Sequence, residues 1–338
     1  MIVSLTAFRA VASDTYVLTS TNDPTSNKVV IFKLATSGTP SLTLQSMLPT
    51  GGAGGASGNA GAVQFADDFG AVVNYGSNTV TRIARFGDFF AVSGTVPLAK
   101  GCVQPQSVAL SEGDMFVAGT NCAESHSWPS GALAGTVVAL PDTSAGQIVV
   151  GKTWAAVTLK SGSVLRLPLS SGHVLTGLKT TVTLPANANN TPLGAAFWGD
   201  LLGFDPAHSV DSFALVNAAG SVAPIEGPQP AYPTNAPCWL VKGPGNLWYA
   251  GNSPGEAISI FFTDGASGVF YKSIPLPGVP TDVTLSPDRK WLAVIYTASD
   301  GSGGHIAVYA IDSFGDLSLT ATSGPVGVAS FNGVTISQ

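Results

Sequence analysis

The stretch TNCAESHSWPSGALAGTVVAL, residues 120–140, brings together side chains that can take part in chemistry: Cys122, Glu124, His126 and Trp128. The imidazole of His126 titrates near neutral pH, so it could act as a general base that takes a proton α to a carboxylate or a lactone carbonyl. The indole of Trp128 could form a stacking wall for a sugar or another ring. The alternative is an exposed loop histidine beside a tryptophan that covers the underside of its own loop.

A second candidate pair is Asp205 and His208 in the segment GFDPAH. The two side chains could act as an acid and a base, or bind a cation. The alternative is a turn in which Asp205 accepts hydrogen bonds from the backbone.

Several polar and aromatic side chains lie at the ends of apolar runs or in long connections, where they could line a weakly charged pocket. Tyr75 is a further acid–base candidate, and the substrate-binding candidates are Asn74, Asn252, Tyr232 and Tyr296. Asparagine in such places also simply makes turns. No G-x-S-x-G elbow is predicted, because the match GNSPG (251–255) leads into the strand-like run AISIFFT and not into a helix. There is also no Cys/His spacing typical of zinc, so a serine hydrolase is disfavoured. No metal site or cofactor is predicted; a divalent cation at an acid–base site is the alternative.

Seven pairs of strand-like runs would have to position these side chains. The first run of each pair is continuously apolar and recurs every 39 to 54 residues: YVLTST, GAVVNYG, DMFVAGT, TWAAVTL, DLLGFDP, NLWYAGN and KWLAVIYT. The second run alternates: KVVIFKL, TVTRIARF, TVVALPD, SVLRLPL, VDSFALV, AISIFFT and HIAVYAID. This period predicts an all-β fold, a seven-bladed β-propeller whose four-stranded blades carry strands a to d from the inside outward. No linker or change in composition divides the chain, so residues 1–338 are predicted to form one domain.

Closure of the ring is predicted to join the two termini. The segment GVASFNGVTIS at the C-terminal end resembles a lone inner strand that completes the first blade. The segment IVSLTAF near the N-terminus competes for the same place.

Three segments resemble blades of the lactonase-type seven-bladed propellers: LSPDRKWLAVIYTASDGSGGHIAVYAID, NYGSNTVTRIARF and APCWLVKGPGNLWYAGNSPGEAISIFF. That family includes bacterial 6-phosphogluconolactonase-like proteins and fungal carboxymuconate-lactonizing enzymes. The resemblance implies lactone hydrolysis or formation, and related propellers act as lyases. Anionic substrates would need clustered arginines, and none of the five arginines is placed in the pocket: Arg9, Arg82, Arg85, Arg166 and Arg289. We therefore expect a neutral or weakly anionic ring compound, or a uronate-containing glycan end.

The resemblance and general propeller anatomy place the ligand on the face that carries the b–c and d–a connections. Residues 120–140 are predicted to be the b–c connection of the third blade, beside the d–a connection LAKGCVQPQ. This placement predicts a disulfide between Cys102 and Cys122; the alternative is two unpaired buried thiols. The glycine-rich segment TGGAGGASGNAG (50–61) is predicted to be a d–a connection on this face, as a lid or a spacer, and not a phosphate loop. His173 is assigned to the opposite face.

Composition narrows the function classes. Charged residues make up 10% of the chain, the net charge is −6, and there is no basic run, which disfavours nucleic acid as a partner. No apolar stretch approaches the roughly 20 residues of a membrane span. Sparse lysine and the glycosylation sequon at residues 189–191 favour secretion, and we expect a monomer. We expect a secreted lyase or lactonase that binds a small molecule or glycan; the alternative is a non-catalytic propeller that binds a glycan or protein through the same face.

Overall fold

The computed structural model describes residues 14–183, 191–205, 212–217, 222–226, 236–265 and 268–338. Within these residues, 28 strands form seven four-stranded antiparallel sheets. Blade 1 contains β1 (Thr15–Ser20), β2 (Lys28–Ala35) and β3 (Ser41–Pro49). Blade 2 contains β4 (Val63–Ala66), β5 (Phe69–Asn74), β6 (Thr79–Phe86) and β7 (Phe89–Pro97). Blade 3 contains β8 (Pro105–Ser111), β9 (Asp114–Gly119), β10 (Cys122–Ser127) and β11 (Leu133–Ala139). Blade 4 contains β12 (Ala145–Val150), β13 (Trp154–Leu159), β14 (Ser163–Pro168) and β15 (Thr180–Thr183). Blade 5 contains β16 (Ala195–Trp198), β17 (Leu201–Phe204), β18 (Ser212–Val216) and β19 (Val222–Glu226). Blade 6 contains β20 (Pro237–Lys242), β21 (Leu247–Asn252), β22 (Ala257–Thr263) and β23 (Gly268–Pro275). Blade 7 contains β24 (Gly278–Leu285), β25 (Trp291–Ala298), β26 (Gly304–Ile311) and β27 (Leu317–Thr322). The last strand, β28 (Asn332–Ser337), belongs to blade 1. The predicted seven-bladed propeller is confirmed.

The second strand of each blade has the continuous apolar pattern because both of its faces are covered by neighbouring blades. Every residue of β9 and of β13 is buried. The outer strands differ, since they lie at the rim: in β3 only Leu42 is fully buried. Seven hydrophobic clusters of the described residues each lie between two adjacent blades, with Trp154 and Trp248 among the largest fully buried side chains. Burial of a large apolar side chain away from water contributes roughly 1.5–3 kcal/mol to the stability of the folded chain.

The C-terminal strand closes the ring. β28 pairs with β1 in an antiparallel register that sets Val17 opposite Ile336 and Leu18 opposite Thr335. The hydroxyl of Thr19 adds a hydrogen bond to the carbonyl of Gly333 at 2.6 Å. The seam therefore uses GVASFNGVTIS, one of the two segments that the sequence left open, while the competing segment IVSLTAF lies outside the described residues.

Blade 3 differs from the sequence prediction. Residues 120–140 are not an enlarged b–c connection, because Cys122–Ser127 form strand c (β10) and TVVA (136–139) lies in the outer strand β11. Glu124 pairs with Val117 and His126 with Met115 in the register with β9. The prediction was wrong because it required apolar residues in strand c, whereas here polar side chains are buried between blades.

A β-bulge recurs near the start of several inner strands. The register shifts by one residue before Ser107 in β8, Gln147 in β12, Trp239 in β20 and Asp282 in β24. A bulge re-aims the side chain that follows it. These four residues therefore occupy equivalent positions around the channel, at the end near the d–a connections.

Among the described residues, no helix is long and apolar enough to cross a membrane.

Candidate functional site

The glycine-rich segment closes one end of the central channel. Its last part, residues 56–61, is named the plug here. From the edge of blade 2 the plug reaches four other blades. Val108 N of blade 3 donates to Gly61 O at 2.9 Å, and Ala60 N donates to Gly146 O of blade 4 at 3.2 Å. Trp239 Nε1 of blade 6 donates to Asn59 O at 3.2 Å, and Gly61 N donates to Asp282 Oδ2 of blade 7 at 3.0 Å. The plug thus covers the channel mouth on the face where the ligand was expected.

Gly61 is the residue on which the equivalent bulge positions converge. A methyl group at its Cα would lie 3.1 Å from Ser107 Oγ, 3.3 Å from Gln147 Nε2 and 3.6 Å from Gln64 Nε2. Its φ of +67° is in the left-handed region, where glycine is favoured. Both facts explain why the tip of the plug is glycine.

Beneath the plug lies a cavity of about 290 Å³. Its volume is at the lower end of the range for small-molecule sites. The lining includes Ala60 and Gly61 at the closed end and follows the inner strands as far as Leu110, Val150 and Thr284. Because these three residues stand just before a–b turns, the cavity extends toward the face opposite the plug.

Asp282 is the acid–base group of this cavity. Its Oδ2 accepts from Gly61 N at 3.0 Å and its Oδ1 accepts from Val283 N at 2.9 Å. Burial raises the pKa of Asp282 to about 7, although hydrogen bonds from Gly61, Val283 and Val334 oppose the rise. A carboxyl group with this pKa can both take up and release a proton near neutral pH.

Two carboxamides accompany the carboxyl group. Gln147 Oε1 accepts from Ala195 N at 2.6 Å, which leaves Nε2 to donate, and Gln64 Nε2 approaches the same point beside Gly61. Among the lining residues of the described chain, Asp282 alone has an ionisable side chain. The cavity therefore offers one carboxyl group and two amide donors, and no cation for an anionic ligand.

His126 lies elsewhere, and its predicted place on the ligand face is wrong. Because β10 runs away from the b–c connection, His126 and Trp128 stand near the c–d turn, on the side opposite the plug. His126 is 2% exposed; its Nδ1 donates to Gly131 O at 3.1 Å and its Nε2 is 2.9 Å from Glu124 Oε1. The half-buried Trp128 packs against the apolar cluster between blades 2 and 3.

The asparagine candidates tie strands together. Asn74 is fully buried, donates to Thr81 Oγ1 at 2.8 Å and accepts from Asn27 Nδ2 at 3.1 Å. Asn252, at the equivalent end of β21, donates to Ser259 Oγ at 2.7 Å. Neither lines the cavity.

The aromatic candidates also lie away from the cavity. Tyr75 begins a 3₁₀ turn (Tyr75–Ser77) beside the glycine-rich segment, where Gly76 N donates to Ala53 O at 2.9 Å. The ring of Tyr296 stacks on His305 with centroids 5.5 Å apart, and burial raises the pKa of Tyr296. Tyr232 lies outside the described residues.

Asp205 is fully buried at the end of β17, where its backbone N–H donates to Gly194 O at 2.8 Å. Burial, followed by the charge of Asp205, raises the pKa of Cys238 to about 12, so this buried free thiol is protonated at neutral pH. Asp205 does not line the cavity, and its predicted partner His208 lies outside the described residues.

The predicted disulfide between Cys102 and Cys122 is present, with the two Cα atoms 5.5 Å apart. It ties the d–a connection that precedes β8 to the first residue of β10. The two cysteines are 20 positions apart, and a disulfide that closes a loop of this length stabilises the folded chain by roughly 3 kcal/mol in the chain-entropy description.

Sequence reasoning missed Gln64, Gln147 and Asp282. The available signal was a polar residue inside an inner strand, as in AGQIVV and TDVTL. Aligning the inner strands of the blades with one another would have exposed the equivalent positions of Gln147 and Asp282.

Three solved structures show how this architecture compares with known proteins. A candidate 6-phosphogluconolactonase from Bacteroides uniformis superposes with a TM-score of 0.70 at 16% identity, covering 97% of this chain and 100% of the other. The periplasmic gluconolactonase of Pseudomonas aeruginosa gives 0.68 at 15%, covering 96% and 99%. The chain shares the propeller fold of these two proteins, as the resemblance predicted. A chain of the mitotic checkpoint complex also matches, with a TM-score of 0.61 at 13% identity over 81% of this chain and 83% of its own, so the fold does not fix the function.

No family model matches the sequence, and no curated protein matches it.

Proposed function

We propose that this chain is a secreted lactonase that hydrolyses a small, uncharged or weakly anionic lactone in the cavity beneath the plug. The observation that carries the proposal is the convergence of Asp282 with the amide nitrogens of Gln64 and Gln147 around Gly61 at the closed end of that cavity. The lactonase names of two structural neighbours support the reaction class. The disulfide and the periplasmic neighbour support an extracytoplasmic location.

The proposed reaction uses these groups in turn. The carboxylate of Asp282 takes a proton from water, whose oxygen attacks the lactone carbonyl. Gln64 and Gln147 donate hydrogen bonds to the carbonyl oxygen as it becomes negative. The C–O bond of the ring then breaks, and Asp282 returns its proton to the leaving ring oxygen, giving a hydroxy acid.

The lining also selects the substrate class. A phosphorylated lactone or a uronate would bring a negative charge next to Asp282 without a cation to balance it. The volume of about 290 Å³ suits a single ring better than a glycan chain. Lactone hydrolysis is therefore favoured over lyase chemistry on a uronate.

Hydrolysis of glucono-δ-lactone and of its 6-phosphate, followed by pH-stat with the spontaneous rate subtracted, tests this function. We expect turnover of the uncharged lactone, lost by about 10²–10⁴-fold in Asp282→Asn. Asp68→Asn, an exposed aspartate on the a–b turn of blade 2, is the matched control and should leave the rate unchanged.

Equal turnover of the phosphorylated lactone would contradict the substrate class. Unchanged turnover in Asp282→Asn would contradict the site. A wild-type protein inactive on every lactone would favour the non-catalytic binding alternative.

A further inference from the structure

A second cluster of reactive side chains lies between blades 2 and 3, away from the proposed lactonase site. Cys102, Cys122 and Glu124 each offer one ligand atom, and these atoms lie within 4.8 Å of one another. Cys102 is 7% exposed, Cys122 3% and Glu124 0%. Cys122, Glu124 and His126 share one face of β10 because side chains alternate along a strand.

Two thiolates and a carboxylate form a donor set that suits zinc-class divalent ions. In a tetrahedral site, two sulfurs that are each about 2.3 Å from the ion stand roughly 3.8 Å apart. The thiols of Cys102 and Cys122 cannot reach that separation while they are joined. They could reach it after reduction by small side-chain rotations, since their Cα atoms are already 5.5 Å apart.

Glu124 is held ready for such an ion. Its Oε2 accepts from Ala99 N at 2.9 Å, and its Oε1 is 2.9 Å from His126 Nε2. Each carboxylate oxygen has two lone pairs, so these bonds leave capacity for a ligand. The two partners fix the plane of the carboxyl group, as second-shell groups do around bound metals.

His126 orients Glu124 through a contact that is itself fixed. Its Nδ1 faces the carbonyl oxygen of Gly131, which only accepts, so Nδ1 carries a hydrogen. This bond fixes the plane of the imidazole ring and sets Nε2 2.9 Å from Glu124 Oε1. A histidine that orients a ligand carboxylate in this way is a typical second-shell group of a metal site.

We propose that reduction of the Cys102–Cys122 disulfide creates a binding site for one zinc-class divalent ion, bound by both thiolates and Glu124 and supported by His126. The disulfide and the metal are then mutually exclusive states of the same residues. Reduction breaks the S–S bond with two electrons and two protons. A water-soluble phosphine supplies the electrons and becomes the phosphine oxide, with oxygen from water. The ion then displaces the two thiol protons into the buffer. This site does not depend on the lactonase function.

Cobalt(II) is the probe, because cobalt–thiolate bonds absorb in the near ultraviolet and tetrahedral cobalt absorbs in the visible. The full chain is reduced under anaerobic conditions, freed of phosphine and titrated. We expect bands that saturate at one equivalent in the reduced wild type and none in the oxidised wild type. Cys238→Ser is the matched control, since it removes a buried thiol outside the cluster, and it should bind as the wild type does. Cys122→Ser should lose the bands, and Glu124→Gln should weaken binding at least tenfold.

Thermal unfolding provides the second readout. Zinc should raise the Tm of the reduced wild type and leave that of the oxidised wild type unchanged, because an ion that binds only the folded chain stabilises it. Absence of thiolate–cobalt bands in the reduced wild type would overturn the proposal. So would a reduced chain that has lost its β-sheet circular dichroism and binds cobalt equally well in Glu124→Gln, since that would be binding to an unfolded chain.

Discussion

The two ends of the central channel are built from the same inner strands but are finished differently. At the d–a end, the plug occupies the mouth of the channel. It contacts the four residues that follow the bulges of the inner strands: Ser107, Gln147, Trp239 and Asp282. At the a–b end the cavity is lined by the inner strands as far as Leu110, Val150 and Thr284. General propeller anatomy assigns the ligand to the d–a end. In this chain that end is filled by its own backbone, and the cavity that Asp282 lines extends from the plug toward the other end.

Filling the cavity gives the sharpest test of this difference. Ala109→Trp places a large side chain in the lining, and we expect turnover of glucono-δ-lactone to fall at least a hundredfold, with Tm recorded to separate blockage from unfolding. Ser57→Trp, on the exposed side of the plug, adds the same side chain at the other end and should leave turnover within twofold. The reverse outcome would show that substrate enters through the plug.

Removing His126 should affect stability and not catalysis. His126→Ala leaves the carboxyl group of Glu124 buried without its partner, and breaking a buried pair in this way costs about 3–5 kcal/mol. Urea unfolding measures the loss, and turnover per folded molecule should be unchanged. A stable but inactive variant would restore His126 as a catalytic candidate and move the site to blade 3.

The pH dependence of stability should report Asp282. Its pKa in the folded chain, about 7, lies above the ordinary value of 3.8, so the folded state holds this proton more tightly than the unfolded chain does. This contribution to the free energy of unfolding is therefore fully present below about pH 4 and is lost as the pH rises through about 7, at up to about 1.4 kcal/mol per pH unit. The difference between wild type and Asp282→Asn, measured by urea unfolding from pH 4 to pH 8, should show this slope. Parallel curves for the two proteins would contradict the raised pKa.

The smallest expected effect is a difference in the free energy of unfolding between two glycine variants. It distinguishes backbone strain at the plug from contact with neighbouring side chains. Gly61→Ala and Gly51→Ala both place a methyl group at a positive φ, +67° and +78°, but only the methyl group of Gly61→Ala meets neighbouring atoms. We expect Gly61→Ala to lower the free energy of unfolding by about 1 kcal/mol more than Gly51→Ala. Equal losses in urea unfolding would mean that the plug tip has room to move.

The strand pattern was predictable wherever apolar side chains fill the space between adjacent blades. All seven apolar runs proved to be second strands, and six of the seven alternating runs proved to be third strands. The exception, TVVALPD, begins in the fourth strand of blade 3, because the third strand there, β10, buries a pair of polar side chains that no hydrophobic pattern records. The pairing of Cys102 with Cys122 was predicted correctly even though the assignment of residues 120–140 was wrong, because Cys122 lies at the start of β10, next to the b–c connection.

The candidate site was less predictable because it depends on contacts between distant segments. Asp282 finds its hydrogen-bond donor in a glycine 221 positions away in the chain, and its raised pKa comes from burial inside the closed ring, which that hydrogen bond opposes. The composition of TGGAGGASGNAG is compatible with a lid, a spacer or a plug. The contacts of this segment with distant blades show which of the three it is. The positions of those blades are set only when the whole ring has closed.

The seam between β1 and β28 has a consequence for breathing motions of the ring. Its two strands come from opposite ends of the described chain, so closing it brings together the most distant segments and carries the largest loop-closure entropy. Strand β28 also contributes the backbone hydrogen bond from Val334 to the carboxyl group of Asp282. Any fluctuation that lifts β28 would therefore change the proton affinity of the cavity acid, so that the mechanical integrity of the ring and the chemistry of its interior are controlled by one strand.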